Sequence, residues 1–458
     1  MAHADERPRR GRRPGRRLLV ALAVGTVAVL AAGSLLVVTT TAGPDELRRL
    51  LGGSTPDASE ETSGQTTDPG GRPGPTDPDP AQDPGAVSQA LLPATQLPDV
   101  AARTPWEVTR TGSGIASVCQ PSPSARPHPE AVFVRRYRAD TGRRQLAVQS
   151  VEVTRSPAGA AAAYQTMTGW YAGCQVPRLQ LMSSAVVDGR GRGSDVRILT
   201  LRSWRNPVRT LTVAVARTGV IATALVHEVD RFTGPGARAM ARTMSRAVDR
   251  LCRTSGGLCG SRRSPVEAPL PPTGEAPGFL GVVDLPPVRG QRAAWAGTGT
   301  IRATGINPAS TLCDRVDFGR RAFTQVRARS FVMPQTDLPQ RFGLSETIGR
   351  ATRKKLAPAF VEQAAARVAG CPDRELSARV RSHERVRSGD VEGHTWRLTF
   401  QLAEDVEVDY RLALVRRGNR VAEVSFSGTP EADMGGRAFA GLALRAGERL
   451  RELDPSAR

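Results

Sequence analysis

An internal repeat constrains the fold of this chain more than any other feature of its sequence. The stretch Leu91–Val100 (LLPATQLPDV) aligns without a gap with Phe279–Val288 (FLGVVDLPPV). Each stretch is followed by a tryptophan, a cysteine and an alanine-rich helical pattern that ends in Ala-Gly-Cys. These landmarks are Trp106, Cys119 and Ala172-Gly173-Cys174 in the first copy, and Trp295, Cys313 and Ala369-Gly370-Cys371 in the second. Because a repeated order of motifs indicates a repeated structural unit, we expect two similar domains.

The apolar pattern predicts the same elements in each copy. Four stretches of alternating apolar and polar residues follow the alanine-rich helix, and an amphipathic helix comes last. Short alternating strands joined by tight turns are typical of an antiparallel meander. The predicted helices cover 158–172, 236–252, 352–369 and 435–453. The predicted strands cover 179–187, 195–203, 208–217, 219–228, 376–386, 393–402, 406–416 and 420–427. The predicted fold is therefore α+β, with an antiparallel sheet packed with helices in each domain.

One uncharged apolar stretch precedes the repeat. Leu18–Val38 contains 21 residues, which is long enough to cross a membrane as a helix, and seven arginines lie in residues 1–17. Because positively charged flanks stay on the cytoplasmic side, we expect a cytoplasmic tail at 1–17, a transmembrane helix at 18–42 and everything after it outside the cell. A cleaved signal peptide is the alternative, and it would export the rest of the chain in the same way.

The segment after the apolar stretch has the composition of a tether. Residues 54–86 contain seven acidic residues and a single basic one, Arg72, and they lack Leu, Ile, Val, Met and aromatic residues. Such a segment cannot bury enough apolar surface to fold, so we expect a disordered linker at 43–87. The first domain then covers 88–259, a hinge rich in Pro, Arg, Ser and Gly covers 260–275, and the second domain covers 276–458.

Six cysteines lie in the repeated part of the chain: Cys119, Cys174, Cys252, Cys259, Cys313 and Cys371. None forms a C-x-x-C pair, so a zinc ribbon or a thioredoxin-type site is not favoured. An even number of cysteines in a chain that is expected to be exported is typical of disulfides. Many pairings are possible, but equivalent places in the repeat favour Cys119 with Cys174 and Cys313 with Cys371, which leaves Cys252 with Cys259. Gly173 and Gly370 are expected to end their helices in the left-handed conformation.

The chain is strongly basic, with 64 Lys and Arg against 44 Asp and Glu, and all but two of the basic residues are arginines. An arginine-rich surface attracts anions such as phospholipid headgroups or acidic wall polymers. A GC-rich coding sequence also favours arginine, so charge alone does not identify a partner. Nucleic acid is not an expected partner, because the basic domains are expected outside the cytoplasm.

The order of these features resembles the extracellular sensor domain of PknH-type serine/threonine kinases of actinobacteria, present here as a tandem pair behind a single transmembrane anchor. The resemblance covers about 88–259 and 276–455, and it is carried by the apolar–proline opening, the Ala-Gly-Cys helix end, the meander and the terminal helix. It implies a helix-backed antiparallel sheet with a cleft that binds an unidentified envelope ligand, without catalysis. The chain differs from those kinases because the part expected in the cytoplasm is too short to contain a kinase domain.

No constellation of residues indicates an enzyme, a cofactor or a metal site. The chain has no H-E-x-x-H, no G-x-S-x-G and no Walker loop. His383 and His394 could approach each other across neighbouring strands, but a metal site there is not favoured. A solvated surface is favoured over an ion site for two charged groups, Asp405 with Glu407 and Asp409, and Arg197 with Arg202, Arg205 and Arg209. Core packing is favoured over a sugar platform for Trp170, Tyr171, Trp204 and Trp396.

The predicted function is that of a single-pass, membrane-anchored binding or sensor module outside the cytoplasm, without catalytic activity. Its expected partner is an unknown envelope ligand or a membrane protein. The alternative is a structural or assembly protein of the cell envelope that acts through protein contacts or through contacts with anionic polymers. A cleft lined by mixed apolar and polar groups would favour the first function, and a flat basic face would favour the second.

Overall fold

Two antiparallel sheets, each packed with helices, form the part of the chain that the structure describes. The computed structural model describes residues 84–97, 105–140, 144–189, 193–303, 307–318, 322–334 and 336–453. The α+β class predicted from the sequence is confirmed in these residues. The predicted tail, transmembrane helix and most of the predicted linker lie outside them. Among the described helices, none combines the length and apolar character that crossing a membrane requires.

The first sheet has eight strands and three helices beside it. The helices are α1 (Pro84–Ala90), α2 (Pro157–Ala172) and α3 (Ala237–Ser255). The strands are β1 (Glu107–Gly112), β2 (Ala131–Asp140), β3 (Arg144–Val153), β4 (Leu179–Val187), β5 (Val196–Ser203), β6 (Arg209–Thr218), β7 (Ile221–Val229) and β8 (Val266–Glu267). Helix α2 begins where the sequence supplies a cap, because the Ser156 hydroxyl accepts the Gly159 N–H at 3.1 Å and Pro157 takes the first helical position.

The second sheet also has eight strands. They are β9 (Ala296–Gly297), β10 (Ile301–Arg302), β11 (Phe323–Val332), β12 (Gly343–Ala351), β13 (Ala378–Ser388), β14 (Val391–Ala403), β15 (Val406–Arg417) and β16 (Arg420–Ser427). Its helices are α4 (Leu356–Ala369), α5 (Cys371–Arg374) and α6 (Gly436–Arg449), and a short 3₁₀ turn follows at Leu450–Leu453.

The two sheets have the same topology. The order β2-β3-β7-β6-β5-β4 in the first corresponds to β11-β12-β16-β15-β14-β13 in the second. The four predicted strands of each copy form the predicted meander. The sequence pattern did not predict the two-stranded hairpin that precedes the alanine-rich helix in each half, β2–β3 and β11–β12. The second strand of each hairpin pairs with the last strand of the meander. The last strand of each half, β7 or β16, therefore lies in the middle of its sheet.

Helices cover both faces of each sheet. In the first sheet, α2 packs on one face through Met167 and Tyr171, and α3 packs on the other through Met240 and Met244. In the second sheet, α4 and α6 take the same two places. Because the central strands are covered on both sides, β7 and β16 are buried along almost their whole length. Each half is thus a three-layer arrangement of helix, sheet and helix.

The repeat extends to the hydrogen bonds that hold the opening segment of each half. The Leu92 N–H donates to Gln149 Oε1 at 2.8 Å, and the Leu280 N–H donates to Glu346 Oε2 at 2.9 Å. An arginine directly across the hairpin, Arg135 or Arg329, donates to the carbonyl oxygens of the same segments. The gapless alignment of the two openings therefore corresponds to equivalent positions in the structure.

The three disulfides are those that the repeat predicts. Cys119 is bonded to Cys174, Cys252 to Cys259, and Cys313 to Cys371. Disulfides are characteristic of an oxidising compartment, which fits folded domains outside the cytoplasm.

The prediction that two of the helices end in left-handed glycines is wrong. Gly173 and Gly370 have φ values of −110° and −87°. Gly173 is required for a different reason, since a Cβ there would lie 2.0 Å from the Thr273 carbonyl oxygen. The left-handed helix end is at Gly256, after α3, with φ of 65°.

Candidate functional site

The segment predicted as a hinge is packed against both sheets. Its strand β8 pairs with Ala185 and Val186 at the edge of β4. A few residues later, the Pro271 carbonyl oxygen accepts a hydrogen bond of 2.6 Å from Arg449 of α6. Val283, in the opening turn of the second half, is buried in the core beneath the first sheet. The two halves are therefore joined through a continuous packed junction.

A buried ion pair lies at the centre of this junction. Arg449 binds both carboxylate oxygens of Asp284, at 2.9 and 2.8 Å, and both side chains are at most 2% exposed. Arg445 Nη1 lies 3.5 Å from the same carboxylate. Burial alone would raise the pKa of Asp284, but the two guanidinium groups outweigh it and hold that pKa below its usual value. The Asp284 side chain is therefore ionised and paired inside the protein.

Hydrogen bonds from the second half hold strand β4 of the first. Arg445 donates to the carbonyl oxygens of Leu181 and Met182 in β4, at 3.2 and 3.1 Å. Gln180, also in β4, donates to the Asp284 carbonyl oxygen at 3.3 Å and accepts the Trp204 indole N–H at 3.0 Å. These bonds fix the position of α6 against β4.

A cleft of about 360 Å³ opens between β4 and α6, and we call it the junction cleft. This volume lies in the range of small-molecule sites. The first half contributes Gln180, Leu181, Met182 and Trp204. The second half contributes Asp284, Pro286, Pro287, Met434, Arg437, Ala438, Gly441, Leu442 and Arg445. The lining thus combines apolar side chains with a few polar ones, which is the property that favours a binding site.

The half-buried Trp204 forms one wall of the junction cleft. Its ring meets Phe232 edge to face with centroids 6.1 Å apart, and the Arg202 guanidinium lies 5.4 Å from the Trp204 centroid. Both contacts are in the range of favourable aromatic and cation–π geometry. Trp204 is therefore held by neighbours on its first-half side, while its other side borders the cleft.

Arginines without an ion-pair partner among the described residues lie at the cleft and at the recess beside it. Arg437 lines it, and Arg178 lines a narrow recess that continues from it past Trp204 and Pro286. Burial lowers the pKa of Arg178, and the nearby charges of Arg292 and Arg205 lower it further. Within the described ranges, none of the four forms an ion pair with a carboxylate. Arg178 also has the left-handed φ of 61°, a conformation that non-glycine residues rarely adopt. The rim of the cleft is therefore positively charged and open to an anion.

Helix α6 adds to this positive character. Its N-cap residue, Gly435, offers no side chain to satisfy the first amide groups, and its first turn contains no acidic residue. The N-terminal end of a helix carries a partial positive charge. Arg437 in that turn adds a formal positive charge, and Asp433, which accepts the Gly435 N–H at 3.2 Å just before the helix, is itself paired with Arg411.

The two histidines singled out from the sequence do meet. His383 Nε2 lies 2.8 Å from His394 Nδ1 across strands β13 and β14, and both rings stack with Trp396. Glu362 Oε1 lies 3.4 Å from the other nitrogen of His394. Burial lowers the pKa of His383, as do the nearby His394 and Arg385. No group of three or more potential ligand side chains converges on a metal position anywhere in the described part of the chain.

Most of the charged groups considered in the sequence have partners within the described part of the protein. Glu407 pairs with Arg381 and Asp409 pairs with Arg397 along the surface of the second sheet. Arg197 binds the Pro269 carbonyl oxygen, Arg202 binds that of Phe232, and Arg209 pairs with Glu228 and Asp230. Among the four arginines of that set, only Arg205 lies in the cluster beside the cleft.

Comparisons with protein-family models, with curated proteins and with solved structures gave no match to this chain. The resemblance to PknH-type sensor domains therefore stays a prediction.

Proposed function

We propose that this chain is a binding module that acts outside the cytoplasm, held at the membrane by its N-terminal segment, and that its ligand occupies the junction cleft. The observation that carries the proposal is the cleft itself, because residues from both halves line it and a buried ion pair keeps its walls in place. Such a preformed, mixed apolar and polar pocket is the usual form of a ligand site. The disulfides support the extracytoplasmic location.

Catalysis is not part of the proposal, because the carboxylate that lines the cleft already has partners. Asp284 is neutralised by Arg449 and Arg445, and Arg445 is also hydrogen-bonded to β4. Proton transfer would require a titratable group free to bind the reacting atom. The paired side chains of the junction cleft are suited to binding a ligand without reacting with it.

A variant that fills the cleft tests the proposal. Gly441 lines the cleft on the exposed side of α6, and a Cβ at this position would meet no atom within 4 Å. Leucine also favours helix more than glycine does, so Gly441→Leu should fold and obstruct the cleft. Gly169→Leu is the control, since Gly169 is an equally open helical glycine in α2, away from the cleft.

The measurement is native mass spectrometry of the full chain purified from the membranes of the cell that produces it. We expect an added mass on the wild type and on Gly169→Leu that is absent from Gly441→Leu. An added mass that persists in Gly441→Leu would place the ligand elsewhere. A bare wild-type chain would favour the alternative role in envelope structure.

A further inference from the structure

The polar groups inside the junction cleft are already occupied. Gln180 uses its oxygen for the Trp204 indole and its amide for the Asp284 carbonyl. Asp284 accepts bonds from Arg449 and from the Gly281 N–H, while Arg445 donates to two carbonyl oxygens of β4. A sugar or a peptide would leave its own polar groups without partners there, and unsatisfied buried polar groups are costly. The interior is therefore poorly suited to a polar ligand.

The remaining surface of the cleft is apolar, and its methionine side chains are adaptable. Met182 and Met434 line it from opposite halves, as do Leu181 and Leu442. Methionine side chains adjust their shape to flexible apolar ligands. A volume of about 360 Å³ accommodates a single alkyl chain more readily than a multi-ring compound.

The side chains near the cleft that have no ion-pair partner among the described residues are positively charged. Arg437 is exposed at the cleft, and Arg178, Arg205 and Arg292 cluster at the adjoining recess. A guanidinium group binds carboxylate or phosphate oxygens through charge-assisted hydrogen bonds. The four arginines have no ion-pair partner among the described residues, so an incoming anion would not have to displace one.

Given the proposed function, on which this inference rests, we propose that the ligand is a single-chain amphiphile with an anionic head group, of which a fatty acid is the simplest example. The alkyl chain lies between Met182 and Met434, and the head group binds Arg437 at the mouth of the cleft. A neutral or cationic head group would lose the contact with the arginines.

The probe is decanoic acid carrying a diazirine on its alkyl chain, added to the full chain in lipid nanodiscs and cross-linked by light. Peptide mapping then reads out labelling at the cleft directly, independently of probe dissolved in the bilayer. We expect labelled peptides that contain Met182 or Met434, and no such labelling in Gly441→Leu. Lengthening an unlabelled competitor by one methylene should improve competition about fourfold, until the cleft is full.

Charge variants test the anionic part of the inference. Arg437→Gln should reduce labelling by about tenfold, the effect of losing one charge-assisted hydrogen bond. Arg238→Gln is the matched control, because Arg238 is the exposed arginine at the corresponding position of α3 and should leave labelling unchanged. A diazirine-labelled decanol should label the cleft far more weakly than the acid.

The outcomes separate this inference from the proposed function. If the alcohol labels the cleft as strongly as the acid, or if Arg437→Gln has no effect, the anionic head group is wrong. If neither probe labels the cleft while the native added mass still depends on Gly441, the cleft binds a ligand of another class and only this inference fails. If that mass is also absent, both proposals fail.

Discussion

At the scale of single residues, the two halves bind the backbone of their opening segments at equivalent positions but with different side chains. The same opening amide is accepted by Gln149 in the first half and by Glu346 in the second. Glu346 is fully buried, and burial raises its pKa from 4.5 to about 8, with the nearby Asp284 charge acting in the same direction. An amide and a protonated carboxyl are nearly isosteric, so the first half already contains the neutral version of the contact.

Glu346→Gln should therefore stabilise the protein increasingly as the pH rises. The folded pKa lies above the unfolded one, so between about pH 5 and pH 8 the folded wild type keeps a proton that the unfolded chain releases. The wild type therefore loses stability as the pH rises over that interval. The variant avoids this loss, and the difference in the free energy of unfolding should grow by about 1.4 kcal/mol per pH unit. Denaturant unfolding at several pH values measures it.

The reciprocal variant is the control for this prediction. Gln149→Glu places a carboxyl in the equivalent site of the first half and should introduce the same pH dependence there. A difference between Glu346→Gln and wild type that stays constant from pH 5 to pH 8 would contradict the assignment.

At the scale of elements, the sequence predicted the meander strands to within about two residues. It succeeded there because alternation of apolar residues survives in strands with one covered and one partly solvated face. It did not predict the hairpins β2–β3 and β11–β12. In the first half, β3 pairs with the last strand, β7, and this pairing joins residues as far apart in the chain as Val153 and Ile221. Pairing between such distant segments depends on the tertiary fold, and no local periodicity encodes it.

The glycines after α2 and α4 show why equivalent sequence does not guarantee an equivalent role. A Cβ at Gly173 would meet the Thr273 carbonyl oxygen at 2.0 Å, whereas the nearest atom at Gly370 is the flexible end of Arg374, at 3.2 Å. The backbone conformation of both residues is accessible to alanine. The difference is that the segment 260–275, which contains Thr273, passes close to Gly173 in the first half.

We expect Gly173→Ala to lower the free energy of unfolding by about 1–3 kcal/mol, the usual effect of overpacking against rigid backbone. Gly370→Ala should change it by less than about 0.5 kcal/mol, because the Arg374 side chain can move aside. Thermal unfolding of the two variants under one set of conditions makes the comparison. Equal destabilisation would show that both glycines serve the helix end instead.

At the scale of the whole molecule, the junction cleft was beyond prediction from the sequence. Its walls combine residues near 180, near 285 and near 440, and the sequence gives no sign that these segments meet. The sequence favours core packing over a sugar platform for Trp204, and the structure places packed neighbours on one of its sides and the cleft on the other. Arg437 carries no motif and stands out only when the end of α6 is seen beside β4.

The buried ion pair that fixes this junction should be costly to break. Asp284→Asn keeps the shape of the side chain but leaves the buried Arg449 charge uncompensated, and we expect a loss of about 3–5 kcal/mol in the free energy of unfolding. The double variant Asp284→Leu with Arg449→Met should recover part of that loss, because it removes both charges. Chemical denaturation of the full chain measures each change.

Asp405→Asn is the control for the junction, since Asp405 is an exposed acid in the turn between β14 and β15. Its effect should stay within about 0.5 kcal/mol. An effect of Asp284→Asn no larger than that of the control would show that the buried ion pair does not hold the two halves together.

The central position of the last strand sets an order of events for a chain that emerges from its N-terminal end. In the first half, one edge of β3 stays unpaired until β7 has been synthesised. Cys119 and Cys174 have both emerged earlier, before β4 begins. Oxidation can therefore tether the hairpin to α2 while the sheet is still in two pieces. A chain that stalls before Ile221 would carry a closed covalent loop and an open strand edge, the combination that invites pairing with a neighbouring molecule.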